Sequence, residues 1–319
     1  MTKLVVMIPA KNEKGRIERV IAGVPRKIAG ISSVRVLVID DDSTDGTGKT
    51  AKMAGADRII RFDKSRGLAT AFKTGLETAL EMGADVIVNI DADGQYDSRE
   101  IPKLIRPVIE GRVDMVLGAR NIDELEDMPM GKLIGNKIVT FIMRVLTGLP
   151  ITDAQTGFRA FSKEAALRLN ILSKKTYVHE TIIEAAIKRL KIAEVPITFR
   201  RRMGKSRLIH SIYSYATKEG ITILKTYRDY NPMGFFGLSG VFILGIGLVL
   251  ITGMTLGYMS SQREGTFLLL PLALIVIGGL TIFYGFLLSR SERRRTLVEE
   301  RIYQERKRRL EKKSRREKR

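Results

Sequence analysis

Two long uncharged apolar stretches near the C-terminus constrain the fold of this 319-residue chain most strongly. No charged residue occurs from Phe235 to Tyr258 or from Thr266 to Ser289. Helices of this length, rising about 1.5 Å per residue, exceed the roughly 30 Å hydrocarbon core of a bilayer. Arg263 and Glu264 lie between them, and each would cost about 2.5 to 3.5 kcal/mol at a bilayer centre. We therefore expect two separate transmembrane helices; the alternative is a pair of buried core helices.

Basic residues flank both stretches and predict the membrane topology. They precede the first stretch and follow the second at Lys218, Lys225, Arg228, Arg290, Arg293, Arg294 and Arg295. The positive-inside rule places both flanks in the cytosol and the short connecting loop outside. We expect no targeting signal before the folded region, because the first apolar run, Lys3–Ala10, is too short for one. The absence of cysteine fits a reducing compartment. The sequence thus predicts a multi-pass protein of the cell membrane, or of an endoplasmic-reticulum-type membrane, with cytosolic termini.

The formal charge of +20 indicates an anionic partner. Nucleic acid is the generic partner of such a chain. The basic tail, residues 290–319, however, directly follows an apolar stretch. Near an anionic membrane surface, each basic residue contributes about 1 kcal/mol of favourable binding free energy. Lipid headgroups are therefore favoured over nucleic acid. Because the tail has only a thin apolar stripe, it is expected to be an exposed helix at the membrane surface, or partly disordered.

Strands alternate with helices in the first part of the chain, which predicts a largely parallel sheet covered by helices on both faces. The predicted strands are Leu4–Pro9, Val34–Ile39, Ala56–Arg61 and Val86–Ile90, and the helical segments are Ile17–Val24, Thr47–Ala54 and Leu68–Met82. Ligands of open α/β sheets bind beyond the carboxyl ends of the strands. This edge is therefore where a binding site is expected.

Acidic residues follow two of these predicted strands. Asp40 and Asp41 follow the second strand, and Asp91 and Asp93 follow the fourth. Carboxylates there supply oxygen ligands for Mg²⁺ or Mn²⁺, whose coordination a nucleotide diphosphate can complete. An aspartate at a neighbouring strand end can accept hydrogen bonds from a base or ribose, so the combination predicts a nucleotide-sugar site. The alternatives are an Asp-Gly turn at Asp93 and a helix N-cap within residues 40–45.

Several short motifs in fixed order extend this pattern. They are Ile8–Glu13 (IPAKNE), Val38–Thr47 (VIDDDSTDGT), Asp91–Gln95 (DADGQ), Gly118–Arg120 (GAR), Asp153–Phe161 (DAQTGFRAF), Glu194–Pro196 (EVP) and Arg201–Leu208 (RRMGKSRL). Over almost all of residues 1–210 the chain resembles family 2 glycosyltransferases of the GT-A fold, and within them the polyprenyl-phosphate (dolichyl-phosphate) sugar synthases. The resemblance implies a Rossmann-like GT-A sheet and a metal-dependent transferase.

The resemblance also implies roles for individual residues. Nucleotide-sugar contacts are expected from Pro9, Glu13, Asp40, Asp41, Asp91 and Gln95; metal binding from Asp91, Asp93 and Gln95; phosphate contacts from Arg120, Arg201 and Arg207; and catalytic roles from Asp93, Arg120 and Asp153. Asp153 would be a base or an orienting group. Lys11 stands where the family usually has tyrosine, Arg207 where it has lysine, and Gly131 and Lys132 where it often has arginine. His179 is expected to cap a helix, and Glu180 to cap it or approach the acceptor.

The implied reaction is transfer of a hexose from a nucleotide sugar to dolichyl or polyprenyl phosphate at the cytosolic membrane face, with inversion. GDP-mannose is the first choice of donor, and UDP-glucose and UDP-N-acetylglucosamine are alternatives. A processive polysaccharide synthase shares the fold, but its QxxRW motif requires a tryptophan that this chain lacks. A membrane-tethered basic lipid- or nucleic-acid-binding protein is the non-enzymatic alternative.

The predicted organisation has four parts: a GT-A catalytic domain at 1–208, interfacial juxtamembrane helices at 209–232, two transmembrane helices within 233–289, and a basic cytosolic tail at 290–319.

Overall fold

The computed structural model describes residues 2–121, 130–173, 176–200, 212–255 and 266–317. The chain forms two compact units. The first, here called the catalytic unit, comprises Met1–Ile223 and Ile302–Arg319; the second, here called the apolar unit, comprises Leu224–Arg301.

A seven-stranded sheet forms the centre of the catalytic unit, in the order β3-β2-β1-β4-β6-β5-β7. The strands are β1 Thr2–Ala10, β2 Ile31–Asp40, β3 Arg58–Arg61, β4 Val86–Asn89, β5 Met115–Arg120, β6 Arg159–Ser162 and β7 Ile192–Ile197. All pairings are parallel except those of β6, which runs antiparallel to β4 and β5. The predicted, mostly parallel sheet is confirmed. Because β6 runs antiparallel to both of its neighbours, β4 and β5 point the same way and end at one edge of the sheet.

Helices cover both faces of this sheet. They are α1 Lys14–Ala22, α2 Thr47–Met53, α3 Leu68–Glu81, α4 Ile101–Ile109, α5 Met130–Thr147, α6 Lys163–Arg168 and α7 Val178–Ile187. On one face, buried residues of α1 and α4 share a core with Val6 and Ile8 of β1. On the other, α3 approaches closely at Gly75, where a Cβ atom would lie 2.8 Å from Ile39 Cδ1 and 3.0 Å from Met7 Sδ. Only glycine permits this approach of helix to sheet.

Two apolar helices dominate the apolar unit: α9 Pro232–Thr255, and the first half of α10, Thr266–Glu317. Helix α8, Ile212–Tyr230, precedes them within the predicted juxtamembrane segment. Residues 232–255 and 268–290 have mean hydropathies of 2.4 and 2.2 and are long enough to cross a membrane. Only 17% of each apolar window is buried inside the protein, which distinguishes them from core helices of a soluble domain.

Glycines let the backbones of α9 and α10 pack closely against each other. A Cβ atom on Gly240 would lie 2.7 Å from the carbonyl oxygen of Gly278, and one on Gly278 would lie 2.7 Å from Leu244 N. Small residues at such contacts let two helix backbones approach, and this is how helices pack in a bilayer, where the hydrophobic effect does not drive them together.

The end of α10, from Ile302 onwards, belongs to the catalytic unit and packs against its helices. Tyr303 is 7% exposed, and its hydroxyl donates to the Glu164 carboxylate at 3.0 Å. Arg306 Nη1 donates to Leu169 O at 3.1 Å, and Lys313 Nζ donates to Glu81 O at 2.8 Å. The segment is a helix and most of its described residues are exposed, which is one of the two expected forms of the tail. The sequence did not predict that this helix also docks through polar contacts to α3 and α6. The spacing of apolar residues in the tail could not predict this docking, because tyrosine, arginine and lysine side chains make the contacts.

Candidate active site

The ends of β1 and β2 form the first part of the candidate site. Pro9 and Ala10 of β1 lie in register with Ile39 and Asp40 of β2. Asp40 is buried, and its Oδ1 accepts a hydrogen bond from Ser43 N at 2.9 Å. The carboxylate therefore closes the turn that leaves β2. It does not cap a helix, because the N-cap of α2 is Gly46, which makes no side-chain capping bond.

Asp41 organises the loop that leads into α3. Its carboxylate accepts hydrogen bonds from Ser65 Oγ at 2.9 Å, Arg66 N at 2.6 Å and Gly67 N at 3.1 Å. Lys11 Nζ donates to the same serine hydroxyl at 2.5 Å. The residue that replaces the usual tyrosine thus joins the polar network around Asp41.

Glu13 lies at the start of α1, close to the start of α2. Its backbone N donates to Thr47 Oγ1 at 2.9 Å, and its carboxylate accepts from Arg16 at 2.6 Å. Asp45 accepts from both Lys14 N at 3.1 Å and Thr47 N at 2.9 Å. These contacts fix the amino ends of both helices beside the sheet edge.

Asp91 and Asp93 follow β4 at the same edge of the sheet. Asp93 Oδ1 accepts from Gln95 N at 3.1 Å. The Asp91 carboxylate lies against the backbone of Gly157, where an added Cβ atom would collide with Asp91 Oδ2. Oxygen ligands of this kind fit Mg²⁺ or Mn²⁺. Within the described residues no three acidic or histidine side chains converge on one metal position, so a bound metal would take further ligands from substrate phosphates and water.

Gln95 connects this acidic loop to the chain near residue 200. Its Nε2 donates to Arg200 O at 3.3 Å, and its O accepts from Arg200 N at 2.7 Å. Arg200 also pairs with Asp97. The pKa of Asp97 is lowered by its hydrogen bond from Arg99 and by the charge of Arg200. Sequence analysis missed Arg200. The predicted phosphate-binding residues Arg201 and Arg207 lie outside the described residues.

Arg120 and Asp153 form a buried bidentate ion pair at the end of β5. Arg120 Nε lies 2.5 Å from Asp153 Oδ2, and Nη2 lies 2.8 Å from Oδ1. The two side chains are 10% and 0% exposed. Burial alone would lower the pKa of Arg120, but the hydrogen bonds and charge of Asp153 raise it, so the guanidinium stays charged. Its Nη1 lies outside the pair, and the guanidinium stacks 5.0 Å from the Phe199 ring centroid.

The surroundings of Asp153 favour an orienting role over that of a base. Glu194 of β7 accepts from Asp153 N at 3.1 Å and from Thr152 N at 2.8 Å, so the turn itself is fixed. The Asp153 carboxylate is enclosed, and Arg120 donates a hydrogen bond to each of its two oxygens, so neither oxygen faces a substrate. Of the two roles suggested by resemblance, the geometry supports positioning of Arg120.

A buried polar network that sequence reasoning missed supports Gly157. Tyr96 Oη accepts from Gly157 N at 3.0 Å, and Asn89 Nδ2 donates to Gly157 O at 2.7 Å and to Tyr177 Oη at 2.7 Å. Burial raises the pKa of Tyr96 to about 12, so its hydroxyl stays neutral. Fully buried Arg159 donates to Thr156 O at 2.8 Å below it. Gly157 belongs to a recognised motif, but no spacing in the sequence identifies these partners.

His179 and Glu180 differ from the expectation. Helix α7 begins at Val178 with Tyr177 as its N-cap, so His179 is a buried helical residue. Glu180 is 3% exposed and accepts from Leu172 N at 2.8 Å. Its carboxylate therefore holds the loop between α6 and α7, and its burial does not fit contact with an acceptor.

We expect His179 to make the protein sensitive to acid. Burial, followed by the charge of Arg159, lowers its pKa from 6.5 to about 3. Between these values the unfolded chain binds the proton and the folded chain does not, so stability falls as pH falls below 6.5. The loss is about 1.4 kcal/mol per pH unit, or about 2 kcal/mol by pH 5. Unfolding of the detergent-solubilised protein at pH 7.5 and 5 should show a smaller acid loss for His179→Gln.

The matched control is His210→Gln, which alters the other of the two histidines. It should keep the acid sensitivity of the wild type. An unchanged acid loss in His179→Gln would contradict the assignment.

We expect Gly157→Ala to displace Asp91, because the new methyl group would occupy the position of its carboxylate. Misplacing a catalytic group by about 1 Å can lower rates by about 10²-fold. The activity that the resemblance implies should therefore fall by about that factor. Gly135→Ala, whose Cβ meets nothing within 4 Å, is the control; equal activity of the two variants would refute the contact.

Sequence comparison defines the class to which this fold and site belong. The profile described as "Glycosyl transferase family 2" matches residues 5–169, and the chain belongs to this family. The protein is accordingly a glycosyltransferase.

Named relatives lie within this class. The chain is 33% identical to the UDP-N-acetylglucosamine--dolichyl-phosphate N-acetylglucosaminyltransferase of Methanococcus voltae, over 68% of this chain and 90% of that one. It is 32% identical to the dolichol-phosphate mannosyltransferase of Pyrococcus furiosus, over 76% and 70%. It is 30% identical to the undecaprenyl-phosphate mannosyltransferase of Micrococcus luteus, over 67% and 90%.

Solved structures agree on the fold. Glucosyl-3-phosphoglycerate synthase from Mycobacterium tuberculosis, in complex with Mn²⁺, UDP-glucose and phosphoglyceric acid, superposes with a TM-score of 0.56 at 20% identity. The match covers 71% of this chain and 80% of that one. It confirms the predicted GT-A fold class.

Proposed function

We propose that this protein transfers a hexose from a nucleotide sugar to a polyprenyl or dolichyl phosphate. The carrying observation is the shared sheet edge: Asp41 and Asp91 follow strands on either side of β1, and Arg120 ends the parallel strand β5. A nucleoside side, a diphosphate side and a cationic side would then follow one another along this edge. The name of each of the three relatives includes a polyprenyl-type phosphate, which supports such a phosphate as the acceptor here.

The donor would bind across the first two sides. Pro9, Glu13, Asp40 and Asp41 line the nucleoside side. A divalent cation, Mg²⁺ or Mn²⁺, would be held by Asp91 and Asp93 with Gln95 beside them, and would act as a Lewis acid on the leaving diphosphate. Asp93 is itself oriented by the Gln95 backbone N–H. The cation would thereby offset the negative charge that develops on the leaving diphosphate.

The acceptor would meet Arg120. A lipid monophosphate arrives anionic, so its oxygen can attack the anomeric carbon while the bond to the nucleoside diphosphate breaks, and no proton has to be removed. The reaction then needs an oriented cation more than a base. Arg120, held by Asp153, supplies it, with Arg201 and Arg207 as further phosphate contacts. A single displacement of this kind inverts the anomeric carbon.

GDP-mannose is the first choice of donor, because two of the three named relatives are mannosyltransferases. UDP-N-acetylglucosamine, named for the third, and UDP-glucose are alternatives. We further propose that both apolar helices span the membrane and that the catalytic unit and the basic tail face the cytosol, where anionic headgroups meet the tail.

The test uses the purified full chain in proteoliposomes containing polyprenyl phosphate, Mg²⁺ or Mn²⁺, and each labelled nucleotide sugar in turn. One donor should give label that extracts into organic solvent, and a chelator should abolish it. No lipid-linked label with any donor would refute the proposal. A water-soluble labelled polymer would indicate a polysaccharide synthase instead.

A further inference from the structure

Helix α5 of the catalytic unit carries an apolar stripe on its exposed face. The residues and their exposed fractions are Met130 70%, Ile134 51%, Ile138 49%, Phe141 65% and Val145 65%. At about 100° per residue these five positions fall within an arc of about 80°, and they extend over about 22 Å of helix. Contiguous exposed apolar surface of this kind marks a contact with a protein or a lipid.

The opposite face of α5 is fixed to the catalytic unit. Val139 and Met143 are buried, and Thr140 Oγ1 accepts a hydrogen bond from Ala154 N at 3.2 Å. Ala154 directly follows Asp153, the partner of Arg120. The helix therefore has one face on the acceptor side of the candidate site and one apolar face outward.

The charges on α5 favour an anionic lipid surface as the occupant of the stripe. The helix contains Lys132, Lys137 and Arg144 and no acidic residue. Lys137 and Arg144 lie within about 40° of the stripe, where their chains can extend along apolar surface towards headgroup phosphates. A symmetric contact with a second copy would instead bring like charges together. The chain also contains two helices long enough to cross a membrane, which would keep such a surface at high local concentration.

We propose that α5 lies in the membrane interface, with its stripe at the boundary of headgroups and acyl chains and with Lys137 and Arg144 among the headgroups. The catalytic unit thus contacts lipid through its own helix, independently of the apolar unit. If the proposed function also holds, this contact fixes the Asp153–Arg120 pair at the level where the phosphate of a polyprenyl acceptor lies.

The chain has no cysteine, so single-cysteine variants can be spin-labelled without removing native thiols. The test labels Phe141→Cys and Ile138→Cys in full-length protein in phosphatidylcholine–phosphatidylglycerol vesicles. The matched control is Met53→Cys on α2, an apolar residue that is 85% exposed. For each label we measure the ratio of its accessibility to oxygen to its accessibility to a water-soluble nickel chelate. This ratio should be several-fold higher for the labels on α5 than for the label at position 53.

Equal nickel accessibility at positions 141 and 53 would overturn the proposal. So would spin–spin broadening at position 141 that disappears when labelled protein is diluted with unlabelled protein, since this would show a second copy on the stripe. These readouts do not depend on enzymatic activity, so failure of the proposed function would leave them intact. A second variant, Ile138→Glu, should lower transfer to polyprenyl phosphate in bilayers several-fold but not transfer to a short, water-soluble prenyl phosphate; equal loss with both acceptors would count against the lipid contact.

Discussion

Replacing Asp93 with asparagine should lower the rate of glycosyl transfer by at least about 10³-fold without lowering the unfolding temperature. The substitution keeps the size of the side chain and an oxygen that can accept from Gln95 N, so the local turn can persist. It removes the negative charge that would bind a divalent cation on the leaving diphosphate. Loss of one such electrostatic contribution typically costs about 10² to 10³ in rate, and loss of the metal costs more.

The matched control is Asp63→Asn, which removes an exposed carboxylate of the same unit and should leave activity unchanged. Activity is measured against Mn²⁺ concentration for both variants. If Asp93→Asn kept wild-type activity at saturating metal, the acidic pair would be a structural turn rather than the diphosphate anchor.

Replacing Asp153 with alanine should destabilise the protein by about 3 to 5 kcal/mol, because Arg120 would remain buried without its partner. Both side chains are almost wholly enclosed and form two hydrogen bonds with each other. The conservative variant Asp153→Asn should keep more stability and raise the KM for the acceptor, because an amide orients the guanidinium less firmly. Chemical unfolding and steady-state kinetics measure the two effects.

The double variant Arg120→Met with Asp153→Leu is the control. It removes both charges and should recover most of the stability while leaving transfer inactive, as expected when a buried ion pair is replaced by apolar residues. A general base at position 153 predicts a different result: Asp153→Asn would lower kcat, leave the acceptor KM unchanged, and remove the acidic limb of the pH profile.

The sheet and the main acidic motifs were predictable because their signals are local. Apolar runs ending in Asp40 and Asp91 identify strand ends, and parallel strands bring those ends to one edge. The two uncharged stretches were equally clear, because each has more than about 20 consecutive residues without a charge, and both form long helices.

What the sequence did not predict depends on pairings that are distant along the chain. Strand β6 is only Arg159–Ser162, too short for a periodic signal, yet its reversed direction makes β4 and β5 parallel. The contacts of Gly157 with Tyr96 and Asn89 join residues over 60 positions apart. Glu180 was expected to cap a helix or to approach the acceptor, and its burial among the backbone N–H groups of a loop fits neither role.

The docking of Tyr303 on Glu164 was missed for a related reason. It lies in a segment of dense positive charge, where composition indicates solvent exposure. The exposed stripe on α5 shows the converse. Its spacing is that of an ordinary amphipathic helix, and only the structure shows that the apolar face is turned outward while Thr140 faces the candidate site.

The central claim is that one glycosyl group passes from a nucleoside diphosphate to a lipid monophosphate at this site. Mass spectrometry of the lipid product and of the released nucleotide tests it most directly. We predict a polyprenyl monophosphate that carries a single sugar, together with a nucleoside diphosphate in equal amount, both lost in Asp93→Asn. A pyrophosphate-linked lipid with a released nucleoside monophosphate, or nucleotide release without any lipid product, would contradict it.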